Sequence, residues 1–296
     1  VFKSDVLGES FSNLELVDIG DFLEVFGSVF MTMSGEVSIM SKSFKILTKA
    51  IRPIPSQWYG LHDEEQRMRR RYLDMILNPE VREILHKKAK FWNSMRKFLI
   101  DRGFLEVETP VLEVTCGGGD ATPFVTQHNG LDIDLYLRIS MGELWQKRLL
   151  VGGFEKTFEI GRQFRNEGIS REHLQDYTQM EFYLAYANYE DSMKLVQEMY
   201  QYVAEETFGT TKFKIGEREV DLSGEWERID YVETIKEKLG IDVLLASDDD
   251  IKNKVKELHL EHKKSDTRGR MIDVLWKSIR GTINGPVFLI DHPVCV

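Results

Sequence analysis

The sequence predicts an α+β protein in two parts, and three observations carry that prediction. Residues 1–52 divide into short strands at 14–17, 22–30, 36–39 and 44–47, broken by turns at 18–20 and 34–35. Past Arg52-Pro53-Ile54-Pro55, whose two prolines disfavour helix and stiffen the chain, helix signals dominate. Within that second part, 155–189 reads as an outgoing strand, a polar loop and an aromatic-rich return strand: a long-looped hairpin.

Taken in order, the second part opens with a charged helix from Asp63 through Leu77. Asn78 and Pro79 supply an N-cap and a first-turn proline for a helix from about 80 to 101, which Gly103 ends. A strand over 104–110 follows. Cys116-Gly117-Gly118-Gly119-Asp120 is a loop with no Lys-Ser/Thr partner, and so no phosphate-binding P-loop. Strands at 123–128 and 135–139 flank a turn at Asn129-Gly130, and Gly142-Glu143-Leu144 opens a helix through Leu150. The hairpin strands are expected at 156–164 and 178–187. A helix from Tyr189 to about Glu206, a hairpin over 212–222, three helices within 230–283 and an apolar strand at 286–290 complete the chain.

With 296 residues, 42% of them hydrophobic, the chain can bury a sizeable core and suits two domains better than one. It holds no apolar run long enough to span a bilayer. The first ten residues lack the basic and apolar regions of a signal peptide, so no membrane partner and a cytoplasmic location are expected. Cys116 and Cys295, far apart, suggest reduced thiols. A net charge of −10 argues against indiscriminate coating of nucleic acid. Local basic strips remain: Arg67, Arg69, Arg70 and Arg71, and then Arg82, Lys87, Lys88 and Lys90. Each could meet phosphates or simply form the solvated face of a helix.

Side chains alternate across a strand, so Gln163, Arg165 and Glu167 leave by one face, and Tyr177, Gln179, Glu181 and Tyr183 share a face of the return strand. If the faces coincide, one cleft gathers arginine, two carboxylates and two phenols. That is a poor packing surface and a good one for a ligand carrying both signs of charge.

Phe164-Arg165-Asn166-Glu167-Gly168, then His173, then Tyr177-Thr178-Gln179-Met180-Glu181-Phe182-Tyr183 resembles the second signature motif of class II aminoacyl-tRNA synthetases, in the form seen in lysyl-tRNA synthetases. The resemblance implies an antiparallel-sheet catalytic domain over 63–296 with a helical insertion at about 230–283, a linker at 53–62, and the later strands of an incomplete oligonucleotide-binding (OB) barrel over 1–52. It implies ATP-dependent activation of lysine and transfer to the 3′ end of tRNA(Lys), with Mg2+. Arg165 would grip substrate carboxylate and α-phosphate, Glu167 the adenine amino group, His173 the distal phosphates, and Tyr177 would stack on adenine. Glu181 and Tyr183 would take the lysine ε-ammonium, Glu143 the α-ammonium, and Gly118 would admit the substrate to the backbone. The helix and strand over 91–110 resemble the first class II motif, which implies a homodimer.

Three departures from the family pattern stand out. Ser140-Met141-Gly142-Glu143 replaces the usual Ala-Pro-Glu and is one residue longer; Thr122 stands where a basic residue is common; and Leu174-Gln175-Asp176 replaces Asn-Pro-Glu. No glycine-rich stretch ending in arginine follows Ile290, and the acidic metal ligands that precede it in the family are expected beyond Val296. The chain is therefore expected to be a fragment that does not turn over alone. Two alternatives stay open: an aspartyl- or asparaginyl-type synthetase, which would want a cation facing the substrate side chain, and a non-catalytic synthetase-like RNA-binding protein.

Overall fold

The computed structural model describes residues 1–296 apart from 53, 55–60, 62, 120, 171–172 and 264, so most of the expected linker lies outside the described residues. The chain divides into two compact units, Val1–His86 and Lys87–Val296.

In the first unit a short helix α1 (Ser4–Leu7) runs into a 3-10 helix (Gly8–Leu16), followed by strands β1 (Phe22–Met31) and β2 (Val37–Thr48), paired antiparallel. The strand expected at 14–17 is therefore wrong. Its alternation is too short to outweigh the Ser and Asn that precede it, which favour local turns over a ladder. The two strands expected at 36–39 and 44–47 are one, because β1 continues as their partner throughout. The described residues show a hairpin here and no closed barrel.

Asp21 accepts from Asp18 N–H (2.8 Å), Lys49 Nζ (2.7 Å) and Ala50 N–H (2.7 Å), tying the two ends of the hairpin. The Asp18 amide first, then the Lys49 ammonium, hold its carboxyl down at about 2. Helices α2 (Glu64–Arg69) and α3 (Arg71–Leu77) replace the single helix expected over 63–77, with the break at Arg70 (φ −115°, ψ 47°). The buried Asp74 carboxylate explains the arginines. It accepts from Arg67 Nε (2.8 Å), Arg71 Nη1 (2.6 Å) and the Asn78 amide (2.7 Å). Burial works to raise its pKa, but these donors, Arg67 first, bring it to about 2. With Arg69 on Glu65, three of the four arginines in the strip are already paired within the chain.

Helix α4 (Pro79–Ile100) leads into two short strands, β3 (Leu105–Glu106) and β4 (Leu112–Glu113), and the hairpin β5 (Val125–His128) and β6 (Ile133–Leu137). Helix α5 (Glu143–Val151) precedes the long hairpin β7 (Lys156–Phe164) and β8 (Asp176–Leu184). One sheet has the order β3-β7-β8 and the other β4-β6-β5, and Phe164 N–H donating to the Arg138 carbonyl (3.0 Å) stitches them. Most pairs are antiparallel, as expected; β3 runs parallel to β7.

The β7–β8 ribbon has two unlike faces because its register pairs like with like. Phe158 lies opposite Phe182 and Ile160 opposite Met180. This face packs on α4 and on α6 (Tyr189–Phe208) through Met95, Phe98, Leu99, Met199 and Val203, with Phe158 and Leu99 fully buried. Each such side chain contributes about 1.5–3 kcal/mol through burial. The other face is polar.

Beyond α6 come the hairpin β9 (Lys212–Ile215) and β10 (Arg218–Asp221), strand β11 (Glu227–Asp230), helices α7 (Tyr231–Leu239), α8 (Asp248–Glu257) and α9 (Arg268–Arg280), and β12 (Val287–Ile290), which pairs parallel with β11. The three helices, capped by Asp230, Ser247 and Thr267, enclose a second core around Ile235, Ile251, Ile272 and Leu275.

Candidate active site

The polar face of the ribbon sets Gln163 opposite Tyr177, Gly161 opposite Gln179, Glu159 opposite Glu181 and Thr157 opposite Tyr183, so the expected faces coincide. Arg165 and Glu167 reach the site differently. Both lie past the end of β7, in a loop anchored by Arg165 N–H on the Gln175 carbonyl (2.9 Å) and Asn166 N–H on the Thr122 carbonyl (2.8 Å).

Under this face runs a buried network that no motif announces. Arg138 Nη1 donates to Glu159 Oε1 (2.6 Å) and to Thr109 Oγ1 (3.1 Å), while the Thr109 hydroxyl donates to Glu159 Oε2 (2.6 Å). Arg138 Nε reaches the Arg162 carbonyl (3.0 Å), and both charged side chains are under 5% exposed. Such a pair survives burial because both carboxylate oxygens are met and the guanidinium is bonded through Nε and Nη1. It locks three segments together and requires small neighbours: a Cβ at Gly161 would lie 2.6 Å from Arg138 Nη2.

At one end of the face Glu181 is the centre. Its Oε1 accepts from the Tyr183 hydroxyl (3.0 Å), and its Oε2 from Ser140 Oγ (3.1 Å), Met141 N–H (3.3 Å) and Gln179 Nε2 (3.3 Å). Burial first, then the negative charge and hydrogen bond of Glu181, push the Tyr183 phenol well above its ordinary value, so it stays a proton donor. Gly118 adjoins this group at φ +90°, where a Cβ would lie 2.6 Å from Ser140 Cβ and 2.9 Å from Glu143 Oε2. Only glycine fits there. Glu143, on the first turn of α5, has its Oε1 on Lys147 Nζ (2.6 Å). Gly118, Glu143, Glu181 and Tyr183 are thus gathered into one carboxylate-lined corner.

At the other end Arg165, Glu167, His173 and Tyr177 line a cavity of about 340 Å³ together with Leu174 and Gln175. Arg165 Nε donates to the Ile139 carbonyl (3.2 Å), and its guanidinium stands 5.7 Å from the centre of the Tyr177 ring. This leaves its terminal nitrogens for an anion. His173 Nδ1 is 2.7 Å from Ser170 Oγ. One short segment serves both ends: Ile139 holds Arg165 through its carbonyl, and Ser140 and Met141 hold Glu181. Chemically, the face offers two carboxylates to cations at one end and a fixed guanidinium beside an aromatic ring at the other.

Among the described residues no group of three or more His, Cys, Asp or Glu could hold a metal ion. Burial raises the pKa of Cys116, with Glu113 adding to it, so this thiol stays protonated and inert. Among the described residues no helix is long and apolar enough to cross a membrane.

The chain belongs to the tRNA synthetases class II (D, K and N), whose family model matches residues 63–296. It is 46% identical to the lysine–tRNA ligase of Pelotomaculum thermopropionicum and 43% identical to those of Halalkalibacterium halodurans and Bacillus subtilis. The similarity covers 98–99% of this chain and 58–59% of each relative, so the chain spans somewhat under three fifths of their length.

Proposed function

We propose that the chain is the lysine- and ATP-binding part of a lysine–tRNA ligase, which activates lysine to lysyl-adenylate and passes it to the 3′ end of tRNA(Lys). The observation that carries this reading is Glu181, a carboxylate held beside the Tyr183 hydroxyl with a second carboxylate, Glu143, nearby. Lysine is a small ligand with two ammonium groups and one carboxylate. Its ε-ammonium pairs with Glu181 and Tyr183, its α-ammonium with Glu143 across Gly118, and its carboxylate turns toward Arg165. An aspartate- or asparagine-selecting pocket would turn a cation to the side chain; the cation beneath this face, Arg138, is already neutralised by Glu159.

The substrate carboxylate is ionised at neutral pH, so attack on the α-phosphate of ATP needs no general base. Catalysis is positioning and charge stabilisation. Arg165 holds carboxylate and α-phosphate together, Glu167 takes the adenine amino group, Tyr177 stacks on the ring and His173 meets the distal phosphates. Among the described residues no group of three or more His, Cys, Asp or Glu fits the Mg2+ that the resemblance implies, and the roles above fall to the protein's own side chains. We further propose the division into 1–52, 53–62 and 63–296, with an insertion at 230–283; the start of the family match at residue 63 supports it, although the compact units of the fold divide later, after His86. In the same reading, 1–52 belongs to an OB barrel that binds tRNA, the protein is cytoplasmic, and 91–110 forms a homodimer contact. Sedimentation of a strict monomer at micromolar concentration would remove that last element.

Glu181→Gln in the full-length protein tests the core of the proposal. A buried ammonium that loses its carboxylate costs roughly 3–5 kcal/mol, so lysine-dependent ATP–pyrophosphate exchange should need at least about a hundredfold more lysine, with the ATP requirement little changed. An unaltered lysine requirement would refute the assignment.

A further inference from the structure

A carboxylate offers about four lone-pair sites, two on each oxygen. On Glu181 they are unequally used. Oε2 receives three donors from the protein: the buried Ser140 hydroxyl, the Met141 amide and the Gln179 side-chain amide. Oε1 receives one, from Tyr183. The donors at Oε2 are fixed from behind. Gln146, fully buried, donates to the Met141 carbonyl (3.2 Å) and accepts from the Thr157 hydroxyl (2.9 Å), which holds the segment carrying Ser140 and Met141 against β7.

Resting on the lysine reading above, we propose that Ser140 and Gln179 set the specificity of the pocket by saturating Oε2, so that Glu181 accepts a ligand cation through Oε1 alone. An ammonium is a compact point charge and is satisfied by one carboxylate oxygen with a neighbouring hydroxyl. A guanidinium binds carboxylates through a two-pronged fork and needs both oxygens. Here the second prong meets an oxygen with no lone pair to give, and its N–H is left unpaired in a desolvated site. The pocket rejects the planar cation by withholding half of its partner, independently of side-chain length. Ser140 and Gln179 are positioning residues: they act through Glu181.

Size must be separated from coordination, so the probe is norarginine, the arginine homologue one methylene shorter, whose terminal nitrogens reach about as far from Cα as those of lysine. Lysine-dependent ATP–pyrophosphate exchange by the full-length protein is measured with norarginine as competitor, in the wild type, in Ser140→Ala and in Ser140→Ala/Gln179→Leu. A freed oxygen restores one charge-assisted hydrogen bond, worth about tenfold or more. The double variant should bind norarginine at least about tenfold more tightly relative to lysine than the wild type does, whereas Ser140→Ala alone, which leaves Met141 and Gln179 on the two sites of that oxygen, should move the ratio less than about twofold. A merely structural role would weaken both ligands together and leave the ratio unmoved. That result, in the double variant or, if it does not fold, in the closer-fitting Ser140→Ala/Gln179→Met, overturns the proposal while leaving the lysine reading intact. Absence of any lysine-dependent exchange in the wild type would take down both.

Discussion

The two long hairpins of this chain, β1–β2 and β7–β8, are built from similar residues and end in different states. Both are antiparallel and alternate large apolar side chains with polar ones. In β1–β2, Phe22, Phe26, Val29 and Val37 are each more than 60% exposed. In β7–β8 the corresponding apolar face is shut against α4 and α6, and the freed polar face becomes the candidate site. Alternation therefore specifies a strand, while the cover laid on it decides how much energy each residue carries. A face that carries chemistry is possible because the opposite one carries the packing.

Arg138→Ala would leave Glu159 buried and uncompensated beneath the polar face, and unfolding in urea should show a loss of about 3–5 kcal/mol. Phe158→Ala on the apolar face should cost about as much, 3–5 kcal/mol, through the cavity it leaves. If either proves nearly silent, the ribbon is not the packed element described here. A smaller effect is expected at high pH. Because burial raises the Tyr183 pKa in the folded chain, the folded state keeps a proton that the unfolded state gives up. Its contribution is complete below the ordinary phenol value of about 10 and fades as pH rises from there through the folded value. Tyr183→Phe should flatten the fall in urea midpoint across that window, and an unchanged slope would place the titrating group elsewhere. Least of all should change with Phe26→Ser in β1, expected to stay within about 0.5 kcal/mol. A large loss there would mean that this side chain is covered in solution.

The reach of the sequence follows the same contrast. Strand β7 coincides with the stretch expected at 156–164 because its apolar positions, its breakers and its partner all lie within some thirty residues. Arg165, Glu167, His173 and Tyr177, grouped in the sequence by the family resemblance, line one cavity because they follow closely along the chain, on the loop after β7 and at the start of β8. The strand at 14–17 failed because four residues of alternation carry no information about a partner. Thr109, Arg138 and Glu159 were invisible because they belong to three separate segments and meet only in the folded chain. The departure at Ser140-Met141 was visible but could not be interpreted. In the folded chain a hydroxyl and an amide N–H, neither of which Ala-Pro would bring, both point at Glu181.

The parallel pairing of β11 with β12 has a consequence for how this protein can be re-engineered. Everything from α7 to α9 lies between two strands that are hydrogen-bonded neighbours, Glu227 beside Val287 and Asp230 beside Ile290, and its core is completed by Ile229 and Leu289 of those strands. The strand that anchors it is held to α6 by Arg228 on Glu190 and by Trp226 against Tyr200. The helical portion is therefore a cassette: its entry and exit are separated by little more than the length of one short strand, about 13 Å for four residues. A brief extended tether could span that gap, so the cassette could be excised or exchanged for a reporter domain without pulling on β7, β8 or the carboxylate corner they carry.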